Sequence, residues 1–292
     1  MPEYPFWLGG IAASMAATCT HPLDVTKVRM QTLEHDGVKR PSTIHIIHSS
    51  IKQSGVRSLY TGLSASLMRQ MSYSLVRLGS YERIKEHMSK DGRHFSFLKS
   101  LLAASVAGGL GGLVGNPADV LFIRMTSDIV RPPEGRYNYS NAISGLVSLV
   151  REEGFKGLTT GIGTNMFRAV LMNASQVGSY EFCKANLLSK RIPGLGYQLQ
   201  DNLVLHLISS TLAGTFATTV CSPADVVRSR VMASSEGLSP AKVLVDSLRQ
   251  EGIRFLFKGW TPAFIRLAPN TILLFVFYEQ IKRSWKSTFI SN

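Results

Sequence analysis

HPLDVTKVRMQ (residues 21–31), NPADVLFIRMT (116–126) and SPADVVRSRVM (222–232) are three versions of one pattern, each following an apolar stretch rich in small residues. A second pattern reads QSGVRSLYTG, EEGFKGLTTG and QEGIRFLFKG, ending at Gly62, Gly161 and Gly259. A third reads SYERIK, SYEFCK and FYEQIK and places Tyr81, Tyr180 and Tyr278 at spacings of 99 and 98 residues. A single Pro-x-Asp match arises often by chance. Three markers in the same order in all three thirds of the chain define a genuine internal repeat.

Each third divides into helix, short amphipathic link and helix. The odd helices are predicted over 6–31, 97–126 and 202–232, the even ones over 63–87, 162–188 and 262–285. All six exceed the roughly 20 residues needed to cross a bilayer. In the links, Ile44, Ile47 and Ile51, like Val147 and Val150, fall at helical spacing. Gly9 and Gly10, the glycines from Gly108 to Gly115, and Gly214 mark the odd helices as sites of close backbone approach, which is how helices associate in lipid. Pro22, Pro117 and Pro223 each remove one backbone donor from an otherwise apolar helix.

Composition agrees with a chain that does not coat itself in charge. Of the 292 residues, 17% are charged and 45% hydrophobic. Mean hydropathy is only +0.09, because Gly, Ser, Asn and Arg interrupt the apolar runs. A net charge of +13 calls for anionic partners. Nucleic acid fits poorly: there is no base-stacking aromatic run and no long basic tract, and the basic residues recur inside apolar segments. Anionic lipid and anionic substrate fit better. Cys19, Cys183 and Cys221 are an odd set with no secretory signal, so no disulfide framework is expected. No zinc-ligand cluster and no phosphate-binding loop is present, and neither metal nor cofactor is expected.

Seven residues beyond Gly62, Gly161 and Gly259 stand Arg69, Arg168 and Arg266, one arginine at the same height on each even helix. An arginine within a spanning segment is costly unless it meets water, a partner or a ligand, so its default reading is functional. The guanidinium fork suits carboxylate or phosphate. Tyr73 and Arg77 follow Arg69 at spacings of four and eight, nearly one stripe of the helix, and could grip an anion at two depths. After each proline, charges gather: Asp24 with Lys27 and Asp225 with Arg228 are three residues apart and share a helix face.

The tripartite pattern, which covers nearly the whole chain, resembles that of the mitochondrial carrier family. The resemblance implies an all-α membrane protein of six transmembrane helices in three pseudo-symmetric repeats (1–90, 91–191 and 192–292), with three short matrix surface helices. It implies a multi-pass protein of the mitochondrial inner membrane with both termini on the intermembrane-space side, and anionic phospholipid, cardiolipin, as a partner. It implies a secondary transporter with no catalytic residues, working by alternating access.

The family's matrix gate maps onto Asp24, Lys27, Gln31, Asp119, Asp225 and Arg228. The implied pairs are Asp225 with Lys27 and Asp119 with Arg228, with Gln31 bracing a bridge. Where the pattern wants a base opposite Asp24, this chain has Phe122, so the third pair is broken. The cytosolic gate maps onto Glu82 with Lys85, Glu181 with Lys184 and Glu279 with Lys282, each Glu preceded by Tyr81, Tyr180 or Tyr278. At the substrate site, Arg69-Gln70 with Tyr73, Arg77, Arg168 and Arg266 resembles carriers of dicarboxylates and oxoglutarate. The implied activity is exchange of dicarboxylates (malate, malonate, succinate) for phosphate or another small anion; the alternatives are an oxoglutarate carrier or an uncoupling-type proton or anion carrier. An empty cavity of unpaired arginines would resist closure. Outside transport, the rival readings are a membrane-embedded enzyme using Glu153 and His206, and a soluble RNA-binding repeat protein.

Overall fold

A computed structural model describes residues 7–33, 42–89, 97–189, 203–234 and 238–289. Six long helices carry the fold: α1 (Trp7–Thr32), α3 (Leu63–Ser89), α4 (Phe97–Ser127), α6 (Ile162–Ser189), α7 (Leu203–Ala233) and α9 (Trp260–Phe289). Three shorter helices, α2 (Thr43–Ser54), α5 (Ala142–Thr159) and α8 (Pro240–Glu251), link the members of each pair. The predicted helix limits lie within one to four residues of these.

Neighbouring helices close into a ring in the order α1, α3, α4, α6, α7, α9 and back to α1. The odd helices α1, α4 and α7 also touch one another. They meet where the three prolines lie, an end called here the proline end. A core of Val28, Ala65, Val120, Leu121, Ile123, Met125 and Met232 fills it. Away from it, apolar side chains at helical spacing remain exposed, Ile11 and Met15 on α1 and Leu102, Val106 and Leu110 on α4. A stripe of that kind on a closed ring of helices is a lipid-facing surface. Two stretches, Ser105–Val130 and Ile253–Lys286, are apolar enough to read as spans by composition alone.

The links repeat with the same chemistry. Ser42, Asn141 and Ser239 cap α2, α5 and α8 by accepting from the backbone N–H three residues on. The glycines that close the second sequence pattern have left-handed backbones: φ is 79° at Gly62, 71° at Gly161 and 80° at Gly259. A Cβ there would also collide with the following repeat, 3.0 Å from Thr126 Cγ2 at Gly62, 2.8 Å from Met232 Cγ at Gly161 and 3.0 Å from the Lys27 carbonyl at Gly259. Conformation and contact both require glycine.

The small residues of the odd helices divide. Gly111 is tight against α3, with its would-be Cβ 3.1 Å from the Tyr73 ring, whereas Gly9 and Gly10 have nothing within 4 Å. At the start of α1, close approach therefore does not explain the glycines. The alanines below them, Ala12, Ala16 and Ala17, are the buried ones.

Candidate functional site: a charged ring at the proline end

Asp24, Asp119 and Asp225 point inward from α1, α4 and α7 and are only 6–7% exposed. Buried carboxylates need partners. Asp225 receives Lys27 Nζ at 2.5 Å and Asp119 receives Arg228 Nη2 at 2.6 Å, the two pairs drawn from the sequence. Both join different repeats. Phe122, in the position of the missing base, is buried against His21 and lies beneath the Arg69 guanidinium, 5.5 Å from ring centroid to Cζ.

The three arginines at matched height do not stand free. Arg69 Nε lies 3.7 Å from Asp119 Oδ1, Arg168 Nε donates to Asp225 Oδ1, and Arg266 Nη1 donates to Asp24 Oδ2 at 2.9 Å. Their side chains remain 26–31% exposed, so each guanidinium reaches the lumen above the ring while holding a carboxylate below it. The expectation of an empty cavity with unpaired arginines is thereby corrected. Three of the four are ion-paired with the ring aspartates, because at seven residues beyond the glycine the long side chain reaches down to the ring.

Higher on α3, Arg77 is exposed and packs over the Tyr73 ring at 5.3 Å, as their one-turn spacing requires. Gln70 is half-buried and has no hydrogen bond among the described residues.

Gln31 does not brace a gate bridge. Its side-chain oxygen accepts from Ser229 Oγ at 2.7 Å and its backbone carbonyl from Arg230 Nε at 3.1 Å. It sits a full turn beyond Lys27, past the level of the ring, where α7 is its neighbour. Thr126, in the equivalent place, bonds back to the Phe122 carbonyl of its own helix at 2.6 Å.

Three arginines just beyond the ring were not singled out by the sequence reading. Arg29, Arg124 and Arg230 occupy the same position in the three repeats, and Arg29 and Arg124 are 0% exposed. Each donates to a carbonyl at the end of the next odd helix: Arg29 to Thr126, Arg124 to Met232 and Arg230 to Gln31, at 3.1–3.2 Å. Helix C-termini leave four carbonyls without partners, and a cation there also meets the negative end of the helix dipole. The missed signal was an arginine recurring five residues after each aspartate.

Behind these, Arg124 is bidentate to Glu153 at 2.6 and 3.0 Å, and Arg230 reaches Glu251 at 2.5 Å. Glu153 thus holds a structural partner, the Arg124 guanidinium. The side chain of His206 lies outside the described residues.

The residues before the prolines hold the links. His21 Nε2 donates to the Thr61 carbonyl at 3.1 Å, Asn116 Nδ2 to Leu158 and Thr160, and Ser222 Oγ to Leu256. Asn165, on α6, donates to Asp119 Oδ2 at 3.0 Å and orients that carboxylate.

At the opposite end, the conformation is not closed in the same way. Glu82 and Glu279 are exposed, and Glu279 meets Arg283 of its own helix at 3.3 Å rather than a lysine of another repeat. Lys282 lies over the Tyr278 ring at 4.8 Å. Tyr81 and Tyr180 are half-buried; the side chains of Lys85 and Glu181 lie outside the described residues, so the pairing expected for Lys184 is undescribed too. Among the described residues, an ion pair at this end lies within one helix, α9, between Glu279 and Arg283.

Comparison with known proteins matches this architecture. A family model described as "Mitochondrial carrier protein" matches three times, over residues 4–92, 93–191 and 199–289. A "Mitochondrial citrate transporter F" of Aspergillus niger is 45% identical over 97% of this chain and 90% of its own length. A "Mitochondrial dicarboxylate transporter" of Candida glabrata is 43% identical over 96% of this chain and 95% of its own. A "Mitochondrial 2-oxoglutarate/malate carrier protein" of Mus musculus is 38% identical over 98% and 92%. With three matched repeats, six long helices in a closed ring and a ring of charged residues contributed by all three repeats, the chain belongs to the mitochondrial carrier family, whose members are transporters of the mitochondrial inner membrane.

Proposed function

We propose that this carrier exchanges dicarboxylates, such as malate, malonate and succinate, for phosphate or another small dianion by alternating access. The observation that carries the reading is the charge at the cavity floor. Three aspartates face five cations there, Lys27, Arg228, Arg69, Arg168 and Arg266, an excess of two positive charges. A dianion balances that excess. The proline end faces the matrix in this reading, both termini face the intermembrane space, and Tyr81, Tyr180 and Tyr278 with the Glu–Lys sets close the opposite end in the alternate state. The same reading divides the chain into repeats at 90/91 and 191/192.

The mechanism follows from competition for the arginines. In the empty carrier, Arg69, Arg168 and Arg266 are shared with the gate aspartates, which holds the proline end shut. A bound dianion takes hydrogen bonds from the same guanidiniums and weakens their hold on the ring. An anion that binds more tightly when the arginines are released from the ring than when they hold it shifts the equilibrium toward opening. Reversal without an anion leaves buried charge uncompensated at several kcal/mol per ion. Influx therefore requires efflux. Anionic phospholipid, cardiolipin above all, fits the basic net charge and the grooves between repeats; one of about 1140 Å³ lies between the starts of α6 and α8, with Lys156, Gly161, Ser239 and Phe167 on its walls.

A second reading has one observation behind it: Arg77 supplies a further cation above the floor, which would meet the third carboxylate of a tricarboxylate, in line with the name of the Aspergillus niger relative. Purified protein in phosphate-loaded liposomes, given labelled malate, malonate, 2-oxoglutarate or citrate, decides between them. Malate or malonate uptake that needs internal phosphate is expected. Preferred citrate or oxoglutarate uptake, or proton conductance in place of exchange, would sink the dicarboxylate reading.

A further inference from the structure

The three cavity arginines look equivalent in sequence and are not equivalent in the ring. Asp119 holds Arg228 at 2.6 Å besides Arg69, and Asp225 holds Lys27 at 2.5 Å besides Arg168. Among the described residues, Asp24 makes one ion pair within 4 Å, with Arg266 at 2.9 Å. The reason is Phe122. Cyclic order places its side chain where Lys27 stands toward Asp225 and Arg228 toward Asp119, and there it is buried beside His21, one turn before Asp24.

We propose that Arg266 is the third cation of the gate as well as an anion contact, so that the closed ring carries one bridge which the transported anion itself can withdraw. The proposal rests on the reading of Arg266 as an anion contact given above. An anion drawing on Arg69 or Arg168 leaves Asp119 and Asp225 with their gate partners. An anion drawing on Arg266 leaves the buried carboxylate of Asp24 alone, and a buried carboxylate without a partner is strongly disfavoured. The seam between α1 and α9, which Asp24 and Arg266 bridge, is thus the one directly coupled to occupancy. The other two bridges respond only after the ring has lost its symmetry. A base at 122 would uncouple the two functions, closing Asp24 permanently and leaving Arg266 to the anion.

The test separates gate from binding site. Cys221 is buried on α7 four residues before Asp225, on the same helix face, and its alkylation reports opening of the proline end. In a Cys19→Ser, Cys183→Ser background, without substrate, Arg266→Ala should lower Tm by roughly 5 °C more than Arg69→Ala or Arg168→Ala, and should speed N-ethylmaleimide labelling of Cys221. Adding Phe122→Arg or Phe122→Lys to Arg266→Ala should restore both. If Arg266→Ala matches the other two in both readouts, or neither basic residue at 122 restores it, Arg266 is not a gate cation. Exchange in proteoliposomes is read separately. The rescued double variant should not transport dicarboxylate; if it does, the anion-contact reading fails, while Tm and labelling still decide the gate assignment.

Discussion

At the proline end, repeat 3 and repeat 1 perform the same task with different charges. In repeat 3, Arg230 caps the end of α1, hydrogen-bonds Ser247 Oγ at 2.6 Å and is paired with Glu251, which also meets Lys258. In repeat 1, Arg29 caps α4 but pairs with no carboxylate among the described residues, and Ser54 stands where Glu153 and Glu251 stand. Its guanidinium reaches the Ser58 carbonyl at 2.6 Å instead, and its Nη1 is buried without a partner. The same repeat owns Asp24, the aspartate that lacks a gate base. Repeat 1 thus holds its place with fewer ionic contacts than repeat 3, and the fold tolerates this because its neighbours supply backbone carbonyls and Arg266.

Breaking the complete repeat should have the largest effect. Glu251→Ala removes the carboxylate shared by Arg230 and Lys258 and should cost about 3 kcal/mol, the usual penalty for removing one side of a buried pair, read as a fall in Tm of the detergent-solubilised protein. Loss below 1 kcal/mol would mean that the pair is not structural. Asn165→Ala comes next. It removes a donor to the buried Asp119 carboxylate and should cost about 1.5 kcal/mol, with a change in exchange rate but not in the range of anions taken.

Completing the incomplete repeat is the sharper experiment. Ser54→Glu should give Arg29 the carboxylate that Arg124 and Arg230 already have and raise stability by about 1 kcal/mol. That gain should vanish in an Arg29→Gln background, which a double-mutant cycle would detect. Smallest of all should be Glu279→Gln at the open end. Its pair with Arg283 is exposed and screened, so no resolvable shift in Tm is expected, whereas exchange, which must visit the alternate state, should slow.

Much of this architecture was legible in the sequence because a threefold repeat cannot be hidden. The Pro-x-Asp motifs located the ring, the glycines fixed the phase, and counting seven residues from each reached the arginines. Two gate pairs and the gap at Phe122 were readable for the same reason. What remained hidden depended on reach. Side-chain length decided that Arg69, Arg168 and Arg266 hold the aspartates, and no spacing rule encodes where a guanidinium ends. Gln31 was misassigned because one turn of helix carries it past the ring. Arg29, Arg124 and Arg230 stood inside the quoted motifs, but their acceptors are backbone carbonyls, which have no signature in residue type. Gly9 and Gly10 show the reverse error, composition suggesting a contact that the structure lacks.

The carbonyl caps form a cycle, from repeat 1 to 2, from 2 to 3 and from 3 back to 1, with Arg230 reaching Gln31 across 199 residues of chain. A cycle has no partial form. During biogenesis, a chain with only its first two repeats inserted has Arg124 without the Met232 carbonyl it serves, and α1 ending in the Gln31 and Leu33 carbonyls that Arg230 and Lys258 of repeat 3 serve. Integrity at this end is therefore withheld until the last third of the polypeptide has entered the membrane. The same contacts make the end of each odd helix depend on a side chain from another repeat, so a truncated chain keeps unsatisfied polar groups at this end.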